Sequence, residues 1–304
     1  MKRAAVLAGI VLLGACTAPA PPPDPTRVES PRSALAEGAR ALAGGDDARA
    51  AALFEKARAI AVEHDDRTAL ATALNGLGAL ASRGRRFEEA AELHDRAWHT
   101  ARALDDDRLA AETLVYRGEL AQRAGDSGTA RNRYGEAIRR ARSAEARRTE
   151  AVALNNLGLL HRTEGDLRAA EAEFRSAVTI NRKLGERRSL AANLANLGAL
   201  AAAEGDANAA RAYYEEALAL DRETDNLAGL NADHAALGAL SEAAGRLAEA
   251  ADHYERAYRG YLALGKSGRA AELLRRRMRV ARASGEETEA LELARELEAL
   301  TGTR

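Results

Sequence analysis

From Ser33 onward, apolar residues fall three or four positions apart, the spacing that gathers side chains on one face of an α-helix, and no run alternates at period two as a strand would. The stretch LNNLGLLHRTEGD, residues 154–166, shows the pattern and an anomaly within it. Leu154, Leu157 and Leu160 make a helical stripe, yet Asn155, Asn156 and Gly158 interrupt it. Asn is a mediocre helix former, and a mid-helix Gly costs about 1 kcal/mol relative to Ala. Three such residues together need a reason other than helix propensity.

The reason begins with a repeat. Gly38, Gly78, Gly118, Gly158, Gly198 and Gly238 are spaced by forty residues. With each unit begun seven residues before its glycine, the fourth position holds Leu74, Leu114, Leu154 and Leu194, and the seventh Leu77, Leu157, Leu197 and Leu237. Twelve residues after the glycine stand Ala50, Ala90, Ala130, Ala170, Ala210 and Ala250. Sixteen after it is a ring in most copies, Phe54, Tyr134, Phe174, Tyr214 and Tyr254, with His94 in the second. Nineteen after it is Ala57, Ala97, Ala137, Ala177, Ala217 and Ala257. Spacings of four and three keep Ala, ring and Ala on one helical face. Between the two halves of a unit falls a recurrent Gly-Asp: Gly45-Asp46, Gly125-Asp126, Gly165-Asp166 and Gly205-Asp206. Gly ends the first helix and Asp caps the second. Each unit therefore reads as helix, turn, helix, stacked with its neighbours into an all-α solenoid.

The stretch LNNLGLLHRTEGDLRAAEAEFRSAV resembles a tetratricopeptide repeat (TPR), with Leu-Gly in helix A followed by Ala, aromatic and Ala in helix B. The resemblance covers roughly residues 33–301 and implies a right-handed α-solenoid of about seven helix-turn-helix repeats, some fourteen helices in all. The forty-residue period is similar to the longer repeats of kinesin light chains and some cell-polarity adaptors. That likeness implies an extended second helix and connecting loop, here carrying LDDD from Leu104 and LGE from Leu184. Terminal units differ as caps should: Ser30-Pro31 supplies an N-cap and first-turn proline, and Met278 replaces the last glycine.

The start of the chain changes the picture again. MKRAAVLAGIVLLGAC joins Lys2 and Arg3 to an uncharged, largely apolar run from Ala4 to Ala15, the layout of an export signal. That run is shorter than the roughly 20 residues a spanning helix needs. Leu13-Gly14-Ala15-Cys16 resembles the lipobox of bacterial lipoproteins, which implies cleavage after residue 15 and lipidation of Cys16, the only cysteine. Thr17 stands where some lipoproteins carry an Asp that retains them at the inner membrane, so the family rule implies the outer membrane in a diderm cell. All six prolines lie between Pro19 and Pro31, so residues 16–32 read as the lipidated Cys with an extended tether, and residues 33–304 as the solenoid.

Composition narrows the function classes. The net charge is −1, which argues against nucleic acid as partner. The six histidines show no HExxH spacing and have no cysteine partners for zinc, and His94 and His234 occupy core columns. Asp105-Asp106-Asp107 lacks the Gly and distal Glu of a calcium loop. No catalytic, metal or cofactor site is expected, and the chain is expected not to be an enzyme.

What remains is the face of helix A opposite the leucines. Helical geometry sends the second, fifth, sixth, ninth and thirteenth positions there, and the TPR resemblance makes it the concave, partner-binding groove. The candidate groove residues are Asn75, Arg83, Tyr116, Glu119, Arg123, Asn155, Asn156, Arg162 and Asn196, followed in the sixth unit by Ala232, Ala235, Ala236, Ala239 and Ala243. An Asn amide both donates and accepts, so it can hold a peptide backbone whatever its sequence. Asn156 and Asn196 match best the column that kinesin-like arrays use as an asparagine clamp. The expected function is a membrane-anchored adaptor that binds a protein or peptide segment in envelope assembly or secretion, without nucleic acid or a small-molecule cofactor. The alternative is a solenoid that senses a small peptide or cell-wall fragment by changing curvature.

Overall fold

The computed structural model describes residues 30–302, so the leader, Cys16 and most of the tether lie outside the described residues. Within them are fourteen α-helices in seven pairs. The helices A are α1 (Pro31–Gly44), α3 (Arg67–Arg83), α5 (Asp107–Arg123), α7 (Arg147–Glu164), α9 (Arg187–Ala203), α11 (Leu227–Ala243) and α13 (Ser267–Ala283). Their partners B are α2 (Asp47–Glu63), α4 (Phe87–Ala103), α6 (Ser127–Ser143), α8 (Leu167–Leu184), α10 (Ala207–Glu223), α12 (Leu247–Ala263) and α14 (Glu287–Thr301). None is long and apolar enough to cross a membrane. The solenoid starts at Pro31, two residues before the expected boundary, with the Ser30 hydroxyl accepting from the Arg32 N–H.

The backbone repeats every twenty residues, half the period of the side chains. A left-handed residue marks each turn from 45 to 285: Gly at 45, 125, 165, 185, 205, 245, 265 and 285, and Asp65, Arg85, Asp105, Glu145 and Asp225 at the others. The next residue caps the following helix. Asp46, Asp66, Asp106, Asp126, Asp166 and Asp206 each accept from the N–H three residues on. From α3 to α6 every helix has 17 residues, so a unit is two equal helices and two three-residue turns. The expected lengthening of helix B alone is corrected: helix A is equally long, and Leu104-Asp105-Asp106 is a compact turn.

The column alanines twelve and nineteen residues after each glycine are 0% exposed in all six units from Ala50 to Ala257. Between them the ring of helix B lies against the bare backbone of helix A. A Cβ on Gly158 would sit 2.7 Å from Phe174 Cε1, one on Gly118 2.5 Å from Tyr134 Cε1, and one on Gly78 2.5 Å from His94 Cε1. His94 thus fills the aromatic slot of its unit. Among the described residues, successive helices A touch from α1 to α11, and no two helices B approach each other as closely. The A side is the inner, concave side.

One layer between units is polar. Asp221 on α10 and Asp233 on α11 are both buried, Asp221 Oδ1 accepts from Asn226 Nδ2, and Asp233 Oδ2 has no partner. Forty residues earlier the same two places hold Asn181 and Asn193, joined by a 2.7 Å hydrogen bond. Burial, with the neighbouring Asp221 charge adding to it, pushes the Asp233 carboxyl from 3.8 up to about 8.

Gly158→Ala drives a methyl into the Phe174 ring and should cost about 1–3 kcal/mol in denaturant unfolding; an unchanged midpoint would show that the ring has room to move. Asp233 keeps in the folded state a proton that the unfolded chain releases, so its contribution is fully present below 3.8 and lost as pH rises toward about 8. Asp233→Asn, which copies the amide of the preceding unit, should therefore raise stability by about 2 kcal/mol near pH 8 and by much less near pH 4. A difference between variant and wild type that is flat with pH would show that Asp233 ionises freely.

Candidate binding groove

The columns expected to face the groove divide into two sets. The second position is open from the fourth unit on: Val152 is 40% exposed, and Ala192 and Ala232 at the same place in the next units are exposed as well, whereas Thr72 and Glu112 are half-buried. The fifth position instead meets the third position of the following helix A. Asn75 shows this and is a correction: it is 3% exposed and is not a groove residue. Its Nδ2 donates to Thr113 Oγ1 at 2.8 Å, which donates to Leu109 O, and its Oδ1 lies 3.1 Å from His94 Nδ1. Because Asn75 Nδ2 is already a donor, its Oδ1 accepts and His94 Nδ1 carries the proton. Burial holds the His94 ring neutral by lowering its pKa to about 4.

Asn155, Asn156 and Asn196 are half-buried on the inner face, and they are bonded to one another. Asn181 Nδ2 donates to Asn193 Oδ1, and Asn193 Nδ2 and Asn196 Nδ2 donate to Asn155 Oδ1 at 2.8 and 2.9 Å. Asn155 Nδ2 donates to Asn156 Oδ1, and Asn156 Nδ2 donates to Glu119 Oε1 at 2.8 Å. This relay crosses α8, α9, α7 and α5 with every amide donating toward Glu119, which accepts at its end. Aligned amides polarise one another, so such a chain is stiffer than its separate bonds. Asn181 and Asn193 were missed from the sequence. The signal was the third-position column, where Thr113, Asn193 and Asp233 interrupt alanines.

Glu119 opens onto a pocket of about 300 Å³ between α5 and α7, lined by Glu112, Val115, Tyr116, Arg148, Thr149 and Val152 as well. Tyr116 stacks on His94 with ring centroids 5.3 Å apart and planes 7° from parallel. Burial raises the carboxyl pKa of both Glu112 and Glu119 against the opposing pull of Arg108 on the first and of the Asn156 bond on the second. Burial also takes the Tyr116 hydroxyl up to about 12, so it stays neutral.

The arginines have different surroundings. Arg83 is tied to the first unit, donating to Leu42 O at 2.8 Å and pairing with Asp47 at 3.0 Å. Arg123 is exposed one turn beyond Glu119, whose carboxylate its charge favours. Arg162 is half-buried on α7. Farther along, Ala232, Ala235, Ala236 and Ala239 form one wall of a second pocket, of about 280 Å³, closed by Tyr261 and Leu273 and rimmed by Arg269 and Arg276. Both arginines lie at Glu272. His234 is packed against His253, Nδ1 to Nδ1 at 3.0 Å. Among the described residues no group of three or more His, Cys, Asp or Glu is placed to hold a metal ion.

Comparison with known proteins finds likeness in sequence over one stretch and likeness in fold over most of the chain. Residues 149–223 match the model of the tetratricopeptide repeat. No curated protein matches the sequence. Among solved structures, the chain is similar to a signal-transduction ATPase with a tetratricopeptide repeat sensor from Pyrococcus horikoshii, with TM-score 0.75 and 13% identity over 90% of this chain and 40% of that one. It is similar to a Rap protein complexed with competence and sporulation factor, with TM-score 0.60 and 17% identity over 86% of this chain and 75% of the other. It is also similar to PilW, a type IV pilus biogenesis factor, with TM-score 0.58 and 18% identity over 77% and 95%. At these identities the likeness is one of fold. The described residues form an all-α solenoid of seven helical pairs, within which residues 149–223 match the tetratricopeptide repeat model.

Proposed function

We propose that the protein is a non-enzymatic adaptor whose concave face binds a segment of another protein, and that a lipid on Cys16 holds it to a membrane of the cell envelope. The observation that carries the groove reading is the line of exposed small and apolar residues at Val152, Ala192 and Ala232, running along the inner face between two open pockets. Side chains that leave a surface open and dry in one molecule favour contact with a second one. The tetratricopeptide match and the complexed Rap neighbour support the reading. The anchor rests on the sequence around Cys16, and the pilus biogenesis neighbour is in keeping with a role in assembling envelope machinery.

A photoreactive amino acid placed in cells at 152, 192 or 232 should give discrete protein adducts, whereas the same residue at position 175 on helix B should not. Equal adducts from both faces, or none from the groove, would remove the groove reading. Alkynyl palmitate fed to cells should label the wild-type chain and leave Cys16→Ser unlabelled; an unlabelled wild type would sink the anchor.

A further inference from the structure

We propose that the pocket between α5 and α7 receives a basic side chain, lysine or arginine, of the bound segment, with Glu112 and Glu119 as its counter-charges and Tyr116 as its floor. The inference rests on the groove reading and adds the chemistry of the occupant. Glu112 and Glu119 stand two turns apart on α5, roughly 10 Å along the axis, with Tyr116 between them. Both line the one pocket, so each stands beside a cation seated over the ring. An aromatic face attracts such a cation through its quadrupole. Val115, Thr149 and Val152 give the pocket hydrocarbon walls against which a long aliphatic stem packs.

The protein's own cations leave this charge open. Arg108 reaches Glu112 only at 3.4 Å from a side chain that is 74% exposed. Arg148 lines the pocket, but its side chain is 72% exposed and its guanidinium pairs with Glu186 at 2.5 Å. Glu119 is bonded to a neutral amide, Asn156, and the one cation acting on it, Arg123, is exposed and does so through space without a bond. For both carboxyls burial outweighs the compensation available, which leaves a deficit that an incoming cation fills. The asparagine relay fits the same scheme. It fixes the position of one carboxylate before any partner arrives, so that little ordering is left to do on binding.

The test uses the full-length chain with labelled valine methyls, titrated with blocked pentapeptides Ala-Ala-X-Ala-Ala in which X is arginine, lysine, citrulline or norleucine. The arginine and lysine peptides should shift the Val115 and Val152 methyl signals. The neutral peptides should bind at least about tenfold more weakly, and the difference should shrink as salt is raised. Glu112→Gln and Glu119→Gln, made singly and together, keep the shape and should lose that advantage while the remaining methyl spectrum is unchanged. Equal binding of charged and neutral peptides, or no shift at millimolar arginine peptide, overturns the inference. So does an undiminished yield of crosslinks from position 152 in the double variant, an outcome that leaves the groove reading standing. Loss of the wild-type crosslinks at all three groove positions would instead strike the groove reading, whatever the titration gives.

Discussion

The structure depends on one contact, repeated six times: a ring of helix B, or the imidazole of His94, laid on the bare backbone of a helix A glycine. Without a Cβ at that point the two helices approach until the flanking alanines are fully enclosed. The ring then fixes the rotation of each helix A about its axis, and with it which columns face the next unit and which face the groove. A close-packed interior does not deform by small amounts, so this contact sets the inner surface far from where it is made. The helix propensity that the glycines give up is small beside the packing they allow.

Around that contact the solenoid must house polar groups wherever one helix A meets the next. Between α3 and α5 it does so with a continuous chain, His94 Nδ1 to Asn75 to Thr113 to a backbone carbonyl. Between α7 and α9 the amides of Asn155, Asn193 and Asn196 close a similar set. One unit later, Asp221 and Asp233 occupy the same places as Asn181 and Asn193, and the bonds are incomplete. Two buried carboxylates share such a layer only when one stays protonated. Burial raises both carboxyls there, that of Asp233 to about 8, so this layer gains charge as pH rises.

Most of the fold was legible in the sequence because its determinants are periodic. Glycine, alanine and ring columns give the pairing of helices, and Gly-Asp gives four of the turns. The twenty-residue backbone period was hidden because Asp65, Arg85, Asp105, Glu145 and Asp225 adopt a conformation usually marked by glycine. The groove was less legible. Helical geometry places the fifth position opposite the leucines, yet a stacked unit has a lateral face too, and Asn75 is spent there. Whether an asparagine faces a partner or a neighbouring helix depends on what stands 38 residues farther on: Thr113 opposite Asn75, Asn193 opposite Asn155 and Ala195 where Asp233 has no amide to meet.

This changes what the poor helix formers of LNNLGLLHRTEGD are for. Gly158 is a packing residue that admits Phe174. Asn155 accepts two bonds from the next unit and passes one to Asn156, whose own donor is occupied by Glu119. An amide already satisfied in this way gains little by exchanging its partners for a peptide backbone, since each new hydrogen bond replaces an equivalent old one. In the proposed binding mode the asparagines therefore serve the groove indirectly: they hold a carboxylate at its edge and leave that charge, with the ring beside it, to meet the partner. On that binding mode, specificity would reside less in residues that could grip any backbone than in the half-buried acid at the end of their chain.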